Sequence, residues 1–308
     1  MFFQIQIENN KYLLPMPSIF EIKKKYSQKI DPFDLDLLIA HSIGKTREFV
    51  LAYPEFPINP SSIGRLKSKI SRRAENEPLA YILGIKEFYG LEFKVNKNTL
   101  IPRPETEIIV EETLKYISKN RRFGNLILAD LGTGSGNIII SLAHNLKKIK
   151  NNNILFYATD ISRKALHTAK YNAKKNDVDG KIKFLPGDLL FPIIKKIETN
   201  GKSKMIILAN LPYLENNWRS LLKDKNSAGL KFEPKIALDG GSHGFYIYKK
   251  LSGQIREFMK NHPHIGLTLF CEIGQTQKNG IIKIFSFADK IVFFKDLSGK
   301  WRTCMMKF

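Results

Sequence analysis

The chain has 308 residues, 43% hydrophobic and 26% charged, enough for one large α/β domain and a smaller one with separate cores, and too apolar for disorder to be the default. Fifty Lys and Arg against 29 Asp and Glu give a formal charge of +21. The excess runs through both halves without a compact block, so it fits a basic surface that touches nucleic acid and a general abundance of Lys equally well.

Met1–Ile7 shows no cationic region ahead of an apolar stretch, and no uncharged apolar run approaches the roughly 18 residues of a membrane span. A cytoplasmic protein with no membrane contact is expected. Only two cysteines occur, Cys271 and Cys304. Both lie in apolar, strand-like segments and read as reduced core thiols rather than a disulfide or a metal pair.

Residues 1–85 read as a helical domain. In Asp34–Tyr53 the apolar Leu35, Leu37, Leu38, Ile43, Phe49 and Val50 recur at helical spacing, with a break at Gly44. After Pro54, Pro57 and Pro60, Ser61 or Ser62 is positioned to cap a helix running through Ile70 toward Ala74. No residue here suggests catalysis. Lys86–Val95, aromatic and β-branched and divided by Gly90, signals a β-hairpin, and 86–100 makes a joint between domains.

The second domain, 101–308, alternates strands with helices from Asn125 onward. Strands are expected at Leu126–Leu131, Ile154–Thr159, Lys181–Leu185, Met205–Ala209, Gly266–Glu272, Lys290–Phe294 and Trp301–Met306, with helices such as Asn137–Lys148 and Ser162–Asn176 between the earlier ones. That order implies a mostly parallel sheet covered on both faces. Lys295–Lys300 is too short for a parallel crossover, so the last two strands should form an antiparallel hairpin. The fold class is therefore α/β: a Rossmann-like class I methyltransferase layout behind a small helical domain.

Asp130–Gly136 (DLGTGSG) follows an apolar strand and precedes an apolar helix. Gly132, Gly134 and Gly136, with Thr133 and Ser135 between them, form a turn that a ligand can approach without Cβ interference. Asp160, closing the next strand, can accept hydrogen bonds from both hydroxyls of a ribose. Loop and carboxylate together fit NAD or S-adenosylmethionine. The glycine spacing departs from the G-x-G-x-x-G that seats a pyrophosphate. Gly187-Asp188-Leu189, after the third strand, can bring Asp188 to an adenine amino group and Leu189 to the ring, although alone it would read as a turn. Together the three loops favour S-adenosylmethionine.

The fourth strand ends in Asn210-Leu211-Pro212-Tyr213. A planar amide or aromatic amine is a weak nucleophile because its lone pair is delocalised. The carboxamide oxygen of Asn210 and the carbonyl of Leu211 can each accept one N–H of such a group, orienting it and stabilising the charge that grows during in-line transfer. Tyr213 can pack on the acceptor's flat face. A module that merely binds the cofactor would have no use for this amide-orienting pair.

These segments resemble the release-factor glutamine methyltransferases, also called the PrmC/HemK family. The resemblance covers nearly the whole chain. It rests on Glu77–Gly84 (EPLAYILG), Leu100–Glu107 (LIPRPETE), the Gly132–Gly136 loop, Phe232–Gly241 (FEPKIALDGG), Glu272-Ile273-Gly274 with Gln277, and the closing KDLSGK. It implies methylation of the glutamine in the Gly-Gly-Gln loop of peptide chain release factors, with the N-terminal domain recognising that partner; nucleic-acid contact is not required.

One position departs from the family, whose tetrapeptide is usually Asn-Pro-Pro-Tyr. Asn-Leu-Pro-Tyr is familiar from rRNA adenine dimethyltransferases. The alternative is thus an adenine amino-group methyltransferase acting on rRNA or DNA, with Asn210 and Tyr213 receiving a flipped base. Leu211 still offers its carbonyl, and Pro212 biases it toward extended backbone, so its side chain is expected to be secondary. Arg103 and Glu105 either line the cofactor or acceptor mouth, or belong to a stretch in which Pro102 and Pro104 shape a linker and Glu105 and Glu107 sit in a helix's first turn; Glu107 reads as the latter. His262 and His264 lack neighbouring ligands, so no metal site is expected.

Overall fold

A computed structural model describes residues 16–120, 125–147, 153–197, 203–224 and 227–308. The chain packs as two compact units, one ending at Leu83 and another spanning Gly84–Phe308. Met1–Ile7 lies outside the described residues, and among those described no helix is long and apolar enough to cross a membrane.

The first unit contains α1 (Ile19–Tyr26), α2 (Pro32–Ile43), α3 (Arg47–Ala52), α4 (Pro60–Ala74) and α5 (Leu79–Leu83). Their limits follow local chemistry. Ser18 and Glu21 form a reciprocal capping box on α1. Asp31 caps α2, which stops at Gly44 in the left-handed region, φ 68°. The cap of α4 is Asn59, whose Oδ1 accepts from the Ser62 amide at 2.8 Å, with Pro60 opening the helix. The expected caps Ser61 and Ser62 instead lie inside its first turn. Leu35, Leu38, Ile39, Val50, Leu66 and Ile70 bury against one another as this unit's core.

The second unit opens with the hairpin β1 (Ile85–Phe88) and β2 (Leu91–Lys94). Its turn is Tyr89-Gly90, both at positive φ. Phe88 and Phe93 bury in the same core as Leu128, Ile139 and Phe156, so the hairpin expected as a joint is packed into the second unit.

After α6 (Glu107–Lys119) come β3 (Asn125–Leu131), α7 (Asn137–Leu146), β4 (Asn153–Asp160), α8 (Arg163–Lys175), β5 (Ile182–Pro186), α9 (Phe191–Ile194) and β6 (Ser203–Ala209). The rest is α10 (Tyr246–Asn261), β7 (Ile265–Glu272), α11 (Lys278–Ile284), β8 (Lys290–Lys295) and β9 (Trp301–Lys307). The sheet order is β5-β4-β3-β6-β7-β9-β8. The first five strands are parallel; β9 runs antiparallel to both β7 and β8.

Alternate residues of β3 feed opposite cores. Ile127, Ala129 and Leu131 meet α10 residues Leu251, Ile255 and Phe258 on one face, and Leu126 and Leu128 meet α7 residues Ile139 and Leu142 on the other. That is why these strands are apolar at nearly every position. The chain winds outward from β3 to β5, then returns to β6 on the other side of β3. The loops leaving β3 and β6 therefore diverge, opening a crevice at the strands' carboxyl ends. Cys271 and Cys304 are paired across β7 and β9 as buried free thiols.

Candidate active site

The loop after β3 builds one wall of that crevice. Thr133 Oγ1 donates to Asp130 Oδ2 at 2.6 Å, and the Thr133 amide donates to the Thr159 carbonyl at 2.9 Å. Burial pushes the Asp130 carboxyl up to about 7. A Cβ on Gly134 would meet nothing nearer than the Gly132 carbonyl at 4.0 Å, so its α carbon faces open space.

Asp160, at the end of β4, ties the loop to the start of α8. Its Oδ2 accepts from the Gly134 amide at 2.9 Å and its Oδ1 from the Ser162 amide at 2.8 Å. A carboxylate oxygen has two lone-pair directions, so both can still accept from a ligand. Burial raises this carboxyl's pKa against the opposing effect of the two backbone bonds.

A cavity of about 290 Å³ is lined by Gly132–Ser135, Asp160, Asp188, Leu189 and Asn210–Pro212. It brings together nearly every residue expected to hold a cofactor. Gly136 does not line it; the residue caps α7 behind the loop at φ 82°. Asp188 pairs with Lys250 Nζ at 2.7 Å. Leu189 adopts a left-handed backbone at φ 49°, and its carbonyl accepts from Thr159 Oγ1 at 2.8 Å. Sequence reasoning gave no site role to other wall residues, among them Asn98–Leu100, Pro234, Ile236, Tyr246 and Lys250. Open space at Gly134, acceptor oxygens at Asp160 and an apolar rim suit the adenosyl and sulfonium parts of S-adenosylmethionine.

Behind Asn210 lies a second cavity of about 150 Å³, whose walls include Leu100, Arg103, Tyr213, Leu238 and Glu272. Asn210 and Leu211 line both cavities. Asn210 Nδ2 donates to Thr106 Oγ1 at 3.0 Å, and Thr106 Oγ1 donates to Glu272 Oε2 at 2.5 Å. Tyr213 donates its hydroxyl to Glu272 Oε1 at 2.9 Å, and Tyr248 donates to the Glu272 carbonyl at 2.6 Å. Burial raises the Glu272 carboxyl's pKa, and the hydroxyls of Thr106 and Tyr213 oppose that rise. The Glu272 charge in turn drives the Tyr213 phenol well above its ordinary value.

Two of the family-like segments, LIPRPETE and FEPKIALDGG, line this second cavity together with Glu272. Arg103 Nη2 meets Glu233 Oε1 at 2.5 Å, and Glu233 Oε2 accepts from the Ile101 amide at 3.1 Å. LIPRPETE is thereby joined to FEPKIALDGG, which resolves what Arg103 touches. Glu107 begins α6 and accepts from the Tyr89 amide at 2.9 Å. Gln277 Nε2 donates to the Tyr213 carbonyl at 3.1 Å. Gly240 packs beneath the tetrapeptide, where a Cβ would lie 2.7 Å from the Pro212 carbonyl oxygen.

Leu211 packs as well as lining the cavities. Its side chain is 2% exposed and joins the core on the α10 face of the sheet. It has a packing role that its place in the tetrapeptide did not suggest. Thr106 and Glu272 fall within the family-like segments, yet sequence reasoning assigned neither a role; the signal present was a carboxylate closing an otherwise apolar strand. His262 stacks on Phe258 with ring centroids 4.5 Å apart, away from both cavities.

Comparisons with known proteins bear on the family and the fold. The PrmC N-terminal domain family matches residues 23–84, and a Methyltransferase domain family matches 124–208. The release factor glutamine methyltransferase of Bacillus subtilis (strain 168) is 36% identical over 269 residues, covering 87% of this chain and 88% of that protein. The release factor glutamine methyltransferase of Coxiella burnetii (strain RSA 493 / Nine Mile phase I) is 33% identical over 293 residues, covering 92% and 96%. Among solved structures, the human METTL16 catalytic domain in complex with a MAT2A 3′UTR hairpin superposes with a TM-score of 0.51 at 15% identity, covering 81% of each chain. That last likeness is one of fold.

Proposed function

The chain belongs to the release factor glutamine methyltransferase family and uses S-adenosylmethionine to methylate a release-factor glutamine; we propose that this glutamine is the one in the Gly-Gly-Gln loop, held by Asn210 and Leu211. The observation that carries this reading is the double position of Asn210 and Leu211. They line both the cavity suited to the donor and the smaller one beside it. An acceptor nitrogen held there is exposed to the donor from one side only.

S-adenosylmethionine supplies an electrophilic methyl group on a sulfonium. Around it, Asp160 would accept from the ribose hydroxyls with the lone pairs its backbone bonds leave over. Leu189 would pack on the adenine, and Asp188 would take the amino group at its edge while keeping Lys250. Thr133, Ser135 and Gly136 set the loop's course, and Gly132 and Gly134 let the ligand approach.

Asn210 Oδ1 and the Leu211 carbonyl accept the two N–H groups of the glutamine amide, turning its lone pair toward the methyl carbon. Because these acceptors are in place beforehand, they stabilise the positive nitrogen as it forms, with little reorganisation. The Tyr213 ring, tethered through its hydroxyl, forms a flat wall, and Pro212 holds the backbone extended. The nitrogen–methyl bond would form as the methyl carbon–sulfur bond breaks, leaving the donor as a neutral thioether, and the methylated amide would then lose a proton to water. Among the described residues, the unit ending at Leu83 contributes no lining residue to either cavity, and we assign it to recognition of the release factor.

The test offers tritiated S-adenosylmethionine with purified release factor, the same factor bearing Gln→Ala in its Gly-Gly-Gln loop, and ribosomal RNA. Labelling of the first alone is expected. Labelling of the RNA, or of the altered factor equally with the first, would overturn the assignment.

A further inference from the structure

Asn210 has a property that its place in the tetrapeptide does not settle. A carboxamide presents two ends of nearly equal shape and opposite chemistry, an acceptor oxygen and a donor NH₂. An acceptor nitrogen carrying two hydrogens is served only by the oxygen. If the amide turned over, N–H would face N–H, and the growing positive charge would meet a donor. We infer that Thr106 and Glu272 are positioning residues that fix the Asn210 amide so that Oδ1 is the end offered to the substrate. This role rests on the proposed acceptor being an NH₂ group.

Hydrogen-bond polarity runs outward from a buried group. Glu272 closes β7 and is 2% exposed. As a carboxylate it can only accept. One oxygen takes the Thr106 hydroxyl hydrogen at 2.5 Å. A hydroxyl has a single hydrogen, so the Thr106 oxygen is left to accept, and it receives Asn210 Nδ2–H at 3.0 Å. With the NH₂ end committed, Oδ1 points away from Thr106. With Glu272 ionised, the polarity thus passes from carboxylate to hydroxyl to amide without a free choice at any step.

Three elements bring the relay together. Thr106 is 0% exposed in the turn ahead of α6, Asn210 follows β6, and Glu272 ends β7. Strands β6 and β7 are parallel neighbours with Ala209 opposite Cys271, which brings Asn210 and Glu272 side by side at the sheet's carboxyl edge. The other Glu272 oxygen accepts from the Tyr213 hydroxyl at 2.9 Å. One buried carboxylate therefore directs both side chains assigned to the acceptor, Tyr213 directly and Asn210 through Thr106.

A purely structural role for this cluster predicts lost stability with normal turnover in the folded fraction; the relay predicts lost turnover in the folded protein, whatever the change in stability. Thr106→Val removes the hydroxyl and keeps the shape. In labelling assays with purified release factor, it should lower kcat at least ~10-fold while cofactor affinity stays within about twofold. Thr106→Ser should restore kcat to within about threefold of wild type. A residue that acts through another has no effect once that other is gone, so in an Asn210→Ala background Thr106→Val should change kcat by less than about twofold.

If Thr106→Val does not fold, Thr106→Ala removes the same hydroxyl with less bulk and is read by the same criteria. A folded hydroxyl-less variant with kcat within about twofold of wild type would overturn the relay. So would effects of Thr106→Val and Asn210→Ala that simply multiply. Failure of the wild type to label release factor at all would instead overturn the acceptor assignment.

Discussion

Leu211 Cδ2 lies 3.3 Å from where a Cβ on Gly132 would stand, so the acceptor tetrapeptide rests directly on the cofactor loop. Gly132 also has φ 68°, a region that disfavours a side chain. The residue that departs from the usual tetrapeptide thus packs beneath Gly132 and lines the larger cavity. Its carbonyl and its side chain serve different ends, and substitutions should separate them.

Leu211→Pro keeps an extended backbone and the carbonyl but loses apolar contact over Gly132. Turnover on release factor should stay within about tenfold of wild type, while stability falls by about 1–3 kcal/mol. Leu211→Ala should cost roughly 2–5 kcal/mol of stability. Urea denaturation beside initial rates checks both. Loss of glutamine activity in a stable proline variant would show that the side chain selects the substrate.

Asp160→Ala removes the shared acceptor of the Gly134 and Ser162 amides along with the ligand's own partner. Cofactor affinity should fall by about 1.5–3 kcal/mol, the range for hydrogen bonds to a charged group. Calorimetric titration of the folded variant measures this. Unchanged affinity would exclude Asp160 from the ribose.

Asn210→Ala should lower turnover by on the order of 100-fold, because its bond to the acceptor strengthens as charge develops. Cofactor affinity should change far less. Single-turnover rates beside equilibrium binding separate the two, and near-normal turnover in a folded variant would defeat the proposed role.

Asp130 predicts a pH dependence of stability. Burial holds its carboxyl up to about 7, whereas the unfolded chain releases that proton near ~3.9. Between those values the folded state binds more protons, so Asp130's contribution is greatest at the acid end and is lost as pH rises toward 7. Asparagine mimics the protonated acid and does not titrate. The stability of Asp130→Asn relative to wild type should therefore improve across that window, by a few kcal/mol at most. Denaturant midpoints of the two proteins from pH 5 to pH 8 test this, and parallel curves would refute it.

Much of the molecule was legible in the residues because the forces that write it are local. The alternation of apolar strands and amphipathic helices set the parallel sheet, and the short KDLSGK link required the final antiparallel pair. Glycine spacing and Asp160 singled out loops that line one cavity, since the loops leaving parallel strands lie at the same edge of the sheet. What lay beyond reach was partnership between distant side chains. Asn210 and Thr106 are 104 residues apart, Arg103 and Glu233 are 130, and Thr106 and Glu272 are 166. Hydrogen bonds are directional and short, and whether two such groups meet depends on strand order and register, which no spacing encodes. The sequence alone singled out Asn210; only the tertiary structure shows that its amide nitrogen is taken up by Thr106, because that hydroxyl is itself held by a carboxylate on another strand.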